Sequence, residues 1–417
     1  RSTLDRSSAA SDVYKRQIIV TLLIISKGLA VDTEKDLQTQ FILAEPGDTI
    51  TIPNGTHNIK GALSIEGKEN LVIRGSGMNR SILSFAGQTE GAQGISITNS
   101  KNIILEDFSV HDTKGDAIKV QYTDGIIFRR VSAEWTGGPK ESNGAYGLYP
   151  VLCQNVLIEH SVAIAASDAG IYVGQSRDIV VRYSIAVNNV AGIEIENSID
   201  AEVYENHTYD NTGGILIFDL PDLVRKKGGH IRVYNNLIEH NNLFNFAPEG
   251  AIVGKVIPGT GVMVLATSDV HVYDNTIRNN KSVGTAIVSY FITEEAINDS
   301  LYNPYTSSIH IYNNTYERMP GLPALDYEIG QLLAIKYGRN TPDIIYDGMP
   351  DPAYINAEGI ILPESNLCIQ NNSDARFTNL DIENNFENWY SPFLSDFSED
   401  LTPFHCGITH HPVATSK

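Results

Sequence analysis

The sequence predicts a right-handed parallel β-helix, an all-β solenoid in which three short strands form each turn. Between Gly94 and Asp219, similar units recur about every twenty-two residues, a period typical of solenoids. Within a unit, apolar or small residues follow the first apolar residue at about two, eight, ten, thirteen and fifteen positions. These are three pairs with the two-residue period of a strand. The residues that open the units should stack inside the helix: Ile95, Ile118, Leu148, Ile171, Ile193 and Ile215.

A column of asparagines supports this register. At the thirteenth position the later units carry Asn206, Asn236, Asn275 and Asn314. A buried amide without partners costs about 1–3 kcal/mol. Stacked asparagines can instead donate to one neighbour and accept from the other. The column therefore predicts a structural ladder inside the solenoid.

The chain is expected to begin with segments that are not part of the fold. Residues 1–16 are patternless and resemble an artefactual extension, and Ile18–Ile25 is a short apolar run after Lys15 and Arg16. Together, residues 1–30 are interpreted as this extension plus a secretory signal peptide. The run is shorter than the ~20 residues that span a bilayer, so the mature chain should have no membrane span and be secreted or periplasmic.

The β-helix itself is expected over residues 31–320. A short amphipathic helix at 32–44 should cap its open end, and the first turns begin at Glu45, with strands at 63–65 and 71–73. The units continue to about Tyr316, which makes about ten turns. An uncapped solenoid end would leave a free strand edge.

Residues 321–417 are expected to form a C-terminal helix and an irregular cap over the other end. Helical spacing runs from Asp326 to Tyr337 and ends at Gly338, and a degenerate unit around 359–369 could add a last turn. Of the three cysteines, Cys153 falls at a core position, whereas Cys368 and Cys406 could pair in an oxidising compartment.

The charge of the chain limits its partners. The formal net charge is −20, which argues against nucleic acids and anionic membranes because both favour a basic surface. A polyanionic sugar would also be repelled unless a bridging cation or a local basic patch offset the repulsion.

Three insertions interrupt the repeat next to the first strand of a unit, at 135–144, 219–229 and roughly 241–258. Such insertions are expected to wall a groove on one face. Its floor consists of outward residues on the first strands: Lys119, Gln121, Tyr149, Val151, Tyr172, Gly174, Glu194, Glu196, Leu216, Phe218, Met263 and Leu265. Tyrosines one turn apart suit stacking on sugar rings. The alternative is that the loops fold down and bury this floor.

The candidate substrate-binding residues are Tyr149, Tyr172, Phe218, Gln121 and Trp135. Polysaccharide is the favoured ligand. An exported protein partner is the alternative, because the apolar part of the floor (Leu216, Phe218, Met263 and Leu265) could receive a protein equally well.

Glu194 and Glu196 are the clearest candidates for chemistry, because their α-carbons should lie ~6.6 Å apart on one face. They could act as acid and as base or nucleophile, or hold calcium together with Asp219, or be two solvated glutamates. No cofactor is certain. Lys119 is a candidate base for removing the proton beside a uronate carboxylate, provided that its surroundings favour the neutral amine.

From about Glu45 to Tyr316 the chain resembles secreted right-handed parallel β-helix proteins of the pectate-lyase-like class. The phrases at 167–176, 190–198 and 211–216 are similar to those of an exported bacterial β-helix-repeat family without an assigned activity. The wider class includes polysaccharide lyases, hydrolases, mannuronan epimerases and an accessory protein for copper-enzyme maturation. The chain has neither the lyase Arg motifs, the Asp-rich hydrolase triplet nor the Asp-Pro-His-Asp epimerase motif, so the resemblance implies no catalytic residue.

Two functions therefore remain open: an enzyme that binds and cleaves or epimerises a polysaccharide, and a non-catalytic exported scaffold. Open carboxylates at the bottom of a long cleft would favour the enzyme. A groove filled by the chain's own loops would favour the scaffold.

Overall fold

The computed structural model describes residues 33–318, 320–362, 366–382 and 397–406. The predicted signal segment, residues 1–30, lies outside these residues. Within them the chain forms helices α1 (Thr33–Leu43) and α2 (Glu328–Tyr337), and short 3₁₀ helices at Ile252–Lys255, Tyr290–Thr293, Pro352–Tyr354 and Thr402–Phe404.

All other regular elements of the described residues are strands. In chain order they are β1 Thr49–Thr51, β2 Gly55–Asn58, β3 Leu63–Glu66, β4 Glu69–Arg74, β5 Ser81–Ser84, β6 Ile95–Thr98, β7 Lys101–His111, β8 Ile118–Gln121, β9 Asp124–Glu134, β10 Tyr146–Val151, β11 Gln154–Glu159, β12 Val162–Ile164, β13 Ala169–Gly174, β14 Arg177–Arg182, β15 Ile185–Val187, β16 Ala191–Glu196, β17 Ile199–Tyr204, β18 His207–Tyr209, β19 Gly213–Phe218, β20 Gly229–Tyr234, β21 Leu237–Glu239, β22 Thr260–Leu265, β23 Ser268–Tyr273, β24 Thr276–Arg278, β25 Val283–Val288, β26 Ser307–Tyr312, β27 Thr315–Glu317, β28 Ile344–Tyr346, β29 Leu367–Gln370 and β30 Phe377–Asn379.

The strands form two long parallel sheets, which confirms the predicted β-helix. The first sheet has eleven strands: β3, β6, β8, β10, β13, β16, β19, β22, β25, β28 and β30. The other nineteen strands form one continuous second sheet, because β7 and β9 run unbroken through the corner between the second and third strands of their turns. In most later turns, for example β13, β14 and β15, the three strands are separate, as predicted.

The predicted inward column is confirmed. Ile95 pairs with Ile118, Leu148 with Ile118 and Ile171, and Ile193 with Ile171 and Ile215. All six side chains are buried in the inner core. Left-handed residues, among them Asn99 and Asn197, lie where the chain leaves a first strand. Asparagine tolerates this conformation better than most residues.

The asparagine ladder is present and longer than predicted. Each Nδ2 donates to the next Oδ1 at 2.9–3.0 Å along Asn206, Asn236, Asn275, Asn314 and Asn372. A second ladder, which the sequence analysis did not identify, joins Asn189, Asn211, Asn241 and Asn280 at 2.9–3.1 Å. Both ladders satisfy buried amides without solvent.

The N-terminal helix caps the solenoid as predicted. Leu37 and Phe41 of α1 are buried in the inner core, and the Glu34 carboxylate accepts bonds from the backbone N–H groups of Lys60 and Gly61, both at 2.8 Å. Cys153 is buried in the inner core, as expected, and Cys368 pairs with Cys406.

In the C-terminal region, β29 lies in the degenerate unit expected around 359–369 and adds a strand to the second sheet, as predicted. Strands β28 and β30 extend the first sheet past residue 320, which the sequence analysis did not predict. Helix α2 ends at Gly338, as predicted, but its buried Leu333 packs against the outer face of the first sheet instead of the end of the solenoid.

An outer core therefore covers part of the first sheet. Phe218 and Leu265 of the sheet pack there with Phe246 and Val256 of the third insertion and with Leu333. A cavity of about 200 Å³ remains in this outer core, lined by Phe218, Val256, Leu265 and Leu333 among others. In the part of the chain that is described, no helix is long and apolar enough to cross a membrane.

Candidate functional site

The outer face of the first sheet carries the predicted residues in the predicted register. Tyr149 pairs with Lys119, Tyr172 with Glu194, and Glu194 with Leu216. The neighbouring outward column contains Gln121, Gly174, Glu196 and Phe218. Because Ile193 lies in the inner core, the adjacent Glu194 points to the opposite side of the strand.

Burial divides this face into two halves. Lys119, Gln121 and Tyr149 are partly exposed. In contrast, Tyr172 is buried, Glu194 is 3% exposed, Glu196 6% and Phe218 1%. The expectation that these four line an open groove is therefore wrong, because neighbouring rings and inserted loops cover them. The apolar patch expected to receive a protein partner is also covered, apart from the partly exposed Met263.

The second and third insertions close the later half of the face. The backbone N–H groups of Val224 and Arg225 donate to Oε1 of Gln175 at 2.9 and 3.2 Å. Asn197 donates through Nδ2 to the carbonyl oxygens of Leu220 and Arg225. The second insertion is thereby fixed beside β13 and β16, while the third contributes Phe246, Val253 and Val256 to the outer core.

Trp135, predicted to contact substrate from the first insertion, turns inward instead. Its side chain is 4% exposed and belongs to the inner core. Its indole Nε1–H donates to the carbonyl oxygen of Thr113 at 2.8 Å. A buried indole gains both apolar packing and a hydrogen bond in this way, and the ring cannot reach a ligand on the outer face.

Glu194 and Glu196 form a hydrogen-bonded carboxyl pair. Burial raises the pKa of Glu196 to about 7 and that of Glu194 well above its usual range. Two adjacent carboxyls away from water cannot both ionise cheaply, so Glu194 keeps its proton and donates to Glu196. The Tyr172 hydroxyl also donates to Glu196, with Oη and Oε1 2.5 Å apart. The second oxygen of Glu194, Oε2, is buried without a hydrogen-bond partner.

Asp168, which the sequence analysis missed, joins this pair. It lies directly before β13, is partly exposed, and is hydrogen-bonded to Tyr146. Burial and the charge of Glu196 raise the pKa of Asp168 to about 7. Asp116 stands at the start of β8 in a similar way, and burial raises its pKa too. The sequence feature that could have identified Asp116 and Asp168 is an acidic residue two or three positions before an inward isoleucine, Ile118 or Ile171.

Three tyrosine rings pack together over these carboxyls. Their centroids are 4.5 Å apart for Tyr146 and Tyr149, 4.4 Å for Tyr146 and Tyr172, and 5.0 Å for Tyr149 and Tyr172. Burial raises the pKa of all three phenols, so they remain protonated donors. We call the set Asp116, Lys119, Tyr146, Tyr149, Asp168, Tyr172, Glu194 and Glu196 the carboxyl–tyrosine cluster.

Lys119 is less well placed for the role of a base than the sequence suggested. Its Nζ lies 4.9 Å from the centroid of the Tyr149 ring, and Asp116 exerts an electrostatic attraction on it. An aromatic face and a carboxylate both stabilise an ammonium group. Both contacts involve the Nζ atom that would have to accept the proton, and the role of Lys119 as a base stays a prediction.

The residues do not fit the predicted calcium site. Asp219 accepts a bond from the Gly228 N–H at 2.8 Å within its own insertion, and burial raises the pKa of Asp219 to about 8. Among the described residues, no group of three or more His, Cys, Asp or Glu side chains is arranged to hold a metal ion. Geometry thus gives no support to calcium binding by Glu194, Glu196 and Asp219.

Comparisons with known proteins concern the fold. The A-module of the mannuronan C-5 epimerase AlgE6 from Azotobacter vinelandii is 16% identical, with a TM-score of 0.50 over 76% of this chain and 85% of that one. The A-module of AlgE4 from the same organism has 16% identity and a TM-score of 0.48, over 75% and 88% of the two chains. An exopolygalacturonase from Thermotoga maritima has 10% identity and a TM-score of 0.49, over 75% and 80%.

At these identities the similarity is one of fold alone, and no curated protein sequence matches the chain. The family model described as "right handed beta helix region" matches residues 36–222 and 140–322, more than half of the sequence. Together with the two parallel sheets, this match shows that the chain belongs to the right-handed β-helix family.

Proposed function

We propose that the protein binds a polysaccharide on the exposed half of the first sheet's outer face and modifies it by proton transfer at Asp168. The observation that carries this proposal is the position of a partly exposed carboxyl, Asp168, beside the buried Glu194 and Glu196, with which it interacts electrostatically. Perturbed carboxyls of this kind concentrate at functional sites.

The proposed roles follow from exposure. Asp168 is the carboxyl at the surface and exchanges a proton with a sugar oxygen or carbon, for which a pKa of about 7 is well suited near neutral pH. Glu194 and Glu196 are buried, so they act through Asp168 as positioning residues: burial raises the pKa of Asp168, and the charge of Glu196 raises it further. Tyr149, Gln121 and Lys119 are the partly exposed neighbours that contact the sugar. Cleavage and epimerisation both need such a proton transfer.

The proposed location is outside the cytoplasm. The signal-like stretch at residues 18–30 motivates it, and the Cys368–Cys406 disulfide supports it, because disulfides persist in secreted and periplasmic proteins. An extracellular or periplasmic glycan would be accessible there.

A second candidate function is a non-catalytic exported scaffold. It is favoured by the closure of the later half of the groove, where Glu194, Glu196 and Phe218 are covered by the chain itself. In that case a glycan or protein would bind without reaction, and the carboxyl pair would be a purely structural feature.

One experiment separates the two functions. The protein is incubated with a panel of extracellular glycans, with and without calcium, and the products are analysed by chromatography and NMR. If the proposal holds, Asp168→Asn abolishes product formation, whereas the control Asp178→Asn, at an exposed position on the second sheet, does not. Binding without products would support the scaffold. Products that persist in Asp168→Asn would remove Asp168 from the reaction.

The role of the buried pair has its own readout. Glu196→Gln removes the charge that raises the pKa of Asp168, so we expect the pH profile of the reaction to shift towards acid while some activity remains. An unchanged profile would contradict the role of Glu196 in positioning the proton.

A further inference from the structure

We infer that the carboxyl–tyrosine cluster recognises a protonated amino sugar of the glycan. The inference rests on the proposed glycan binding and names the class of sugar. It follows from the balance of charges in the cluster, an unused buried oxygen and the packing of the aromatic rings.

The charge balance is acidic once Asp168 and Glu196 ionise, which happens as pH rises through their pKa values of about 7. The cluster contains four carboxyls, Asp116, Asp168, Glu194 and Glu196, and one cation, Lys119. That lysine already interacts with Asp116 and the Tyr149 ring. A second ammonium group would be attracted by the carboxyls that Lys119 does not neutralise, whereas a uronate carboxylate would meet repulsion from the cluster and from a chain with a net charge of −20.

The buried oxygens support the same conclusion. Oε2 of Glu194 is buried and has no hydrogen-bond partner, and its residue is 3% exposed. A buried acceptor without a donor is a costly arrangement, and because Glu194 is covered, a cation bound at the partly exposed Asp168 would act on it through its charge. An ammonium group supplies three N–H donors and a positive charge, so it stabilises the ionised form of the carboxyls that surround it.

The aromatic rings supply the second part of an ammonium site. Tyr146, Tyr149 and Tyr172 pack within 5.0 Å of one another, centroid to centroid, and the chain itself places an ammonium group over one of them, through Lys119. Aromatic rings beside carboxylates are a typical environment for a bound cation. The same rings offer apolar faces to the carbon skeleton of a sugar.

The test compares three hexasaccharides that differ in charge: glucosamine hexamer, cellohexaose and hexagalacturonate. Affinities are measured by calorimetry from about pH 6 to about pH 8, because the acidic end favours the protonated amine and the alkaline end favours the ionised carboxyls of Asp168 and Glu196, whose pKa values are about 7. We expect the glucosamine hexamer to bind about tenfold tighter than cellohexaose, hexagalacturonate to bind weakest, and added salt to weaken the first selectively.

Variants locate the effect. Asp168→Asn should reduce the affinity for the glucosamine hexamer about tenfold. It should leave the affinity for cellohexaose nearly unchanged, because only the glucosamine hexamer carries ammonium groups that the Asp168 carboxylate attracts. Asp178→Asn is the matched control and should change neither. Circular dichroism and thermal unfolding verify that each variant is folded.

The outcomes distinguish this inference from the proposed function. Tighter binding of hexagalacturonate or of cellohexaose would overturn the amino-sugar inference and leave glycan binding intact. Failure of all three to bind would overturn both. Preferential binding of the glucosamine hexamer that Asp168→Asn does not weaken would place the ammonium site outside the cluster and overturn the inference as well.

Discussion

The two halves of the first sheet's outer face have the same backbone arrangement but differ in their exposure to solvent. The half around Lys119, Gln121 and Tyr149 is partly exposed and polar. The half around Phe218 and Leu265 is apolar and buried under inserted loops and α2. Both belong to one parallel ladder with uniform register, so strand geometry cannot explain the difference.

The inserted segments explain it. The third insertion folds over the outer face, whereas the first turns its Trp135 into the inner core and leaves the early strands uncovered. Glu194 and Glu196 lie at the boundary, with Tyr172 on one side and Leu216 on the other. In a solenoid the repeat provides the surface and the insertions decide which part of it is accessible.

The largest expected effect is at the covered half. Phe218→Ala removes a fully buried ring beside an existing cavity of about 200 Å³, so we expect a loss of about 4 kcal/mol in the free energy of unfolding. Denaturant titration measures it. Phe244→Ala, at a ring that is 62% exposed in the third insertion, is the control and should change stability by less than about 0.5 kcal/mol. Equal effects would mean that the outer core is not packed as described.

The boundary should make stability depend on pH. The pKa values of Glu196 and Asp168 are raised to about 7 and that of Asp219 to about 8, against about 4 in an unfolded chain. At pH values between the unfolded and the folded pKa, the folded protein therefore binds more protons than the unfolded chain. The stability that these carboxyls contribute is fully present at the acidic end of this range and is lost as pH rises through the folded pKa values.

We expect the protein to be less stable at about pH 8 than at about pH 5, by at least about 3 kcal/mol, which is the loss from a single carboxyl whose pKa rises from about 4 to about 7 on folding. Thermal and chemical unfolding across this range measure the slope. The double variant Glu194→Gln and Glu196→Gln should reduce the slope, because neither amide titrates, while Asp168 and Asp219 still contribute to it. Stability that rises with pH in the parent protein would contradict the burial of these carboxyls.

A smaller effect is expected at Gly174, next to the boundary. A Cβ there would overlap the Tyr172 ring and hydroxyl, so Gly174→Ala should displace the ring from Glu196. We expect a loss of about 2 kcal/mol and a further rise in the pKa of Glu196, because the lost hydrogen bond lowers it. Denaturant unfolding and a carboxyl NMR titration measure the two changes. Gly87→Ala, where a Cβ meets open space, is the control and should change neither the free energy of unfolding nor the pKa of Glu196.

The smallest effect on stability is expected at the exposed half. Lys119 is partly exposed and its one ring contact is with Tyr149, so Lys119→Ala should change the free energy of unfolding by less than about 0.5 kcal/mol. Its effect on glycan affinity should be larger than that on stability. Destabilisation as large as that of Phe218→Ala would erase the distinction between the two halves.

The sequence identified the fold and the register well, and the chemistry only in part. It placed Tyr149, Tyr172, Glu194 and Glu196 on one face of the correct strands, because outward positions alternate with the inward isoleucines. It missed Tyr146 and Asp168, which lie outside the regular pattern at the entrance of their strands. It also assigned Trp135 to the groove, since the length of an insertion does not indicate the direction in which its side chains fold.

The sequence by itself determined the solenoid, its inward columns and the asparagine ladder, because each depends on contacts between equivalent positions of successive turns. The tertiary structure alone decided that Glu194 and Glu196 are buried, that Asp168 joins them and that α2 covers the side of the solenoid instead of its end. These features depend on contacts between segments that share no period, such as Val224 with Gln175 and Leu333 with the outer core. The burial that raises the pKa of the carboxyls comes from that packing and has no signature in the repeat.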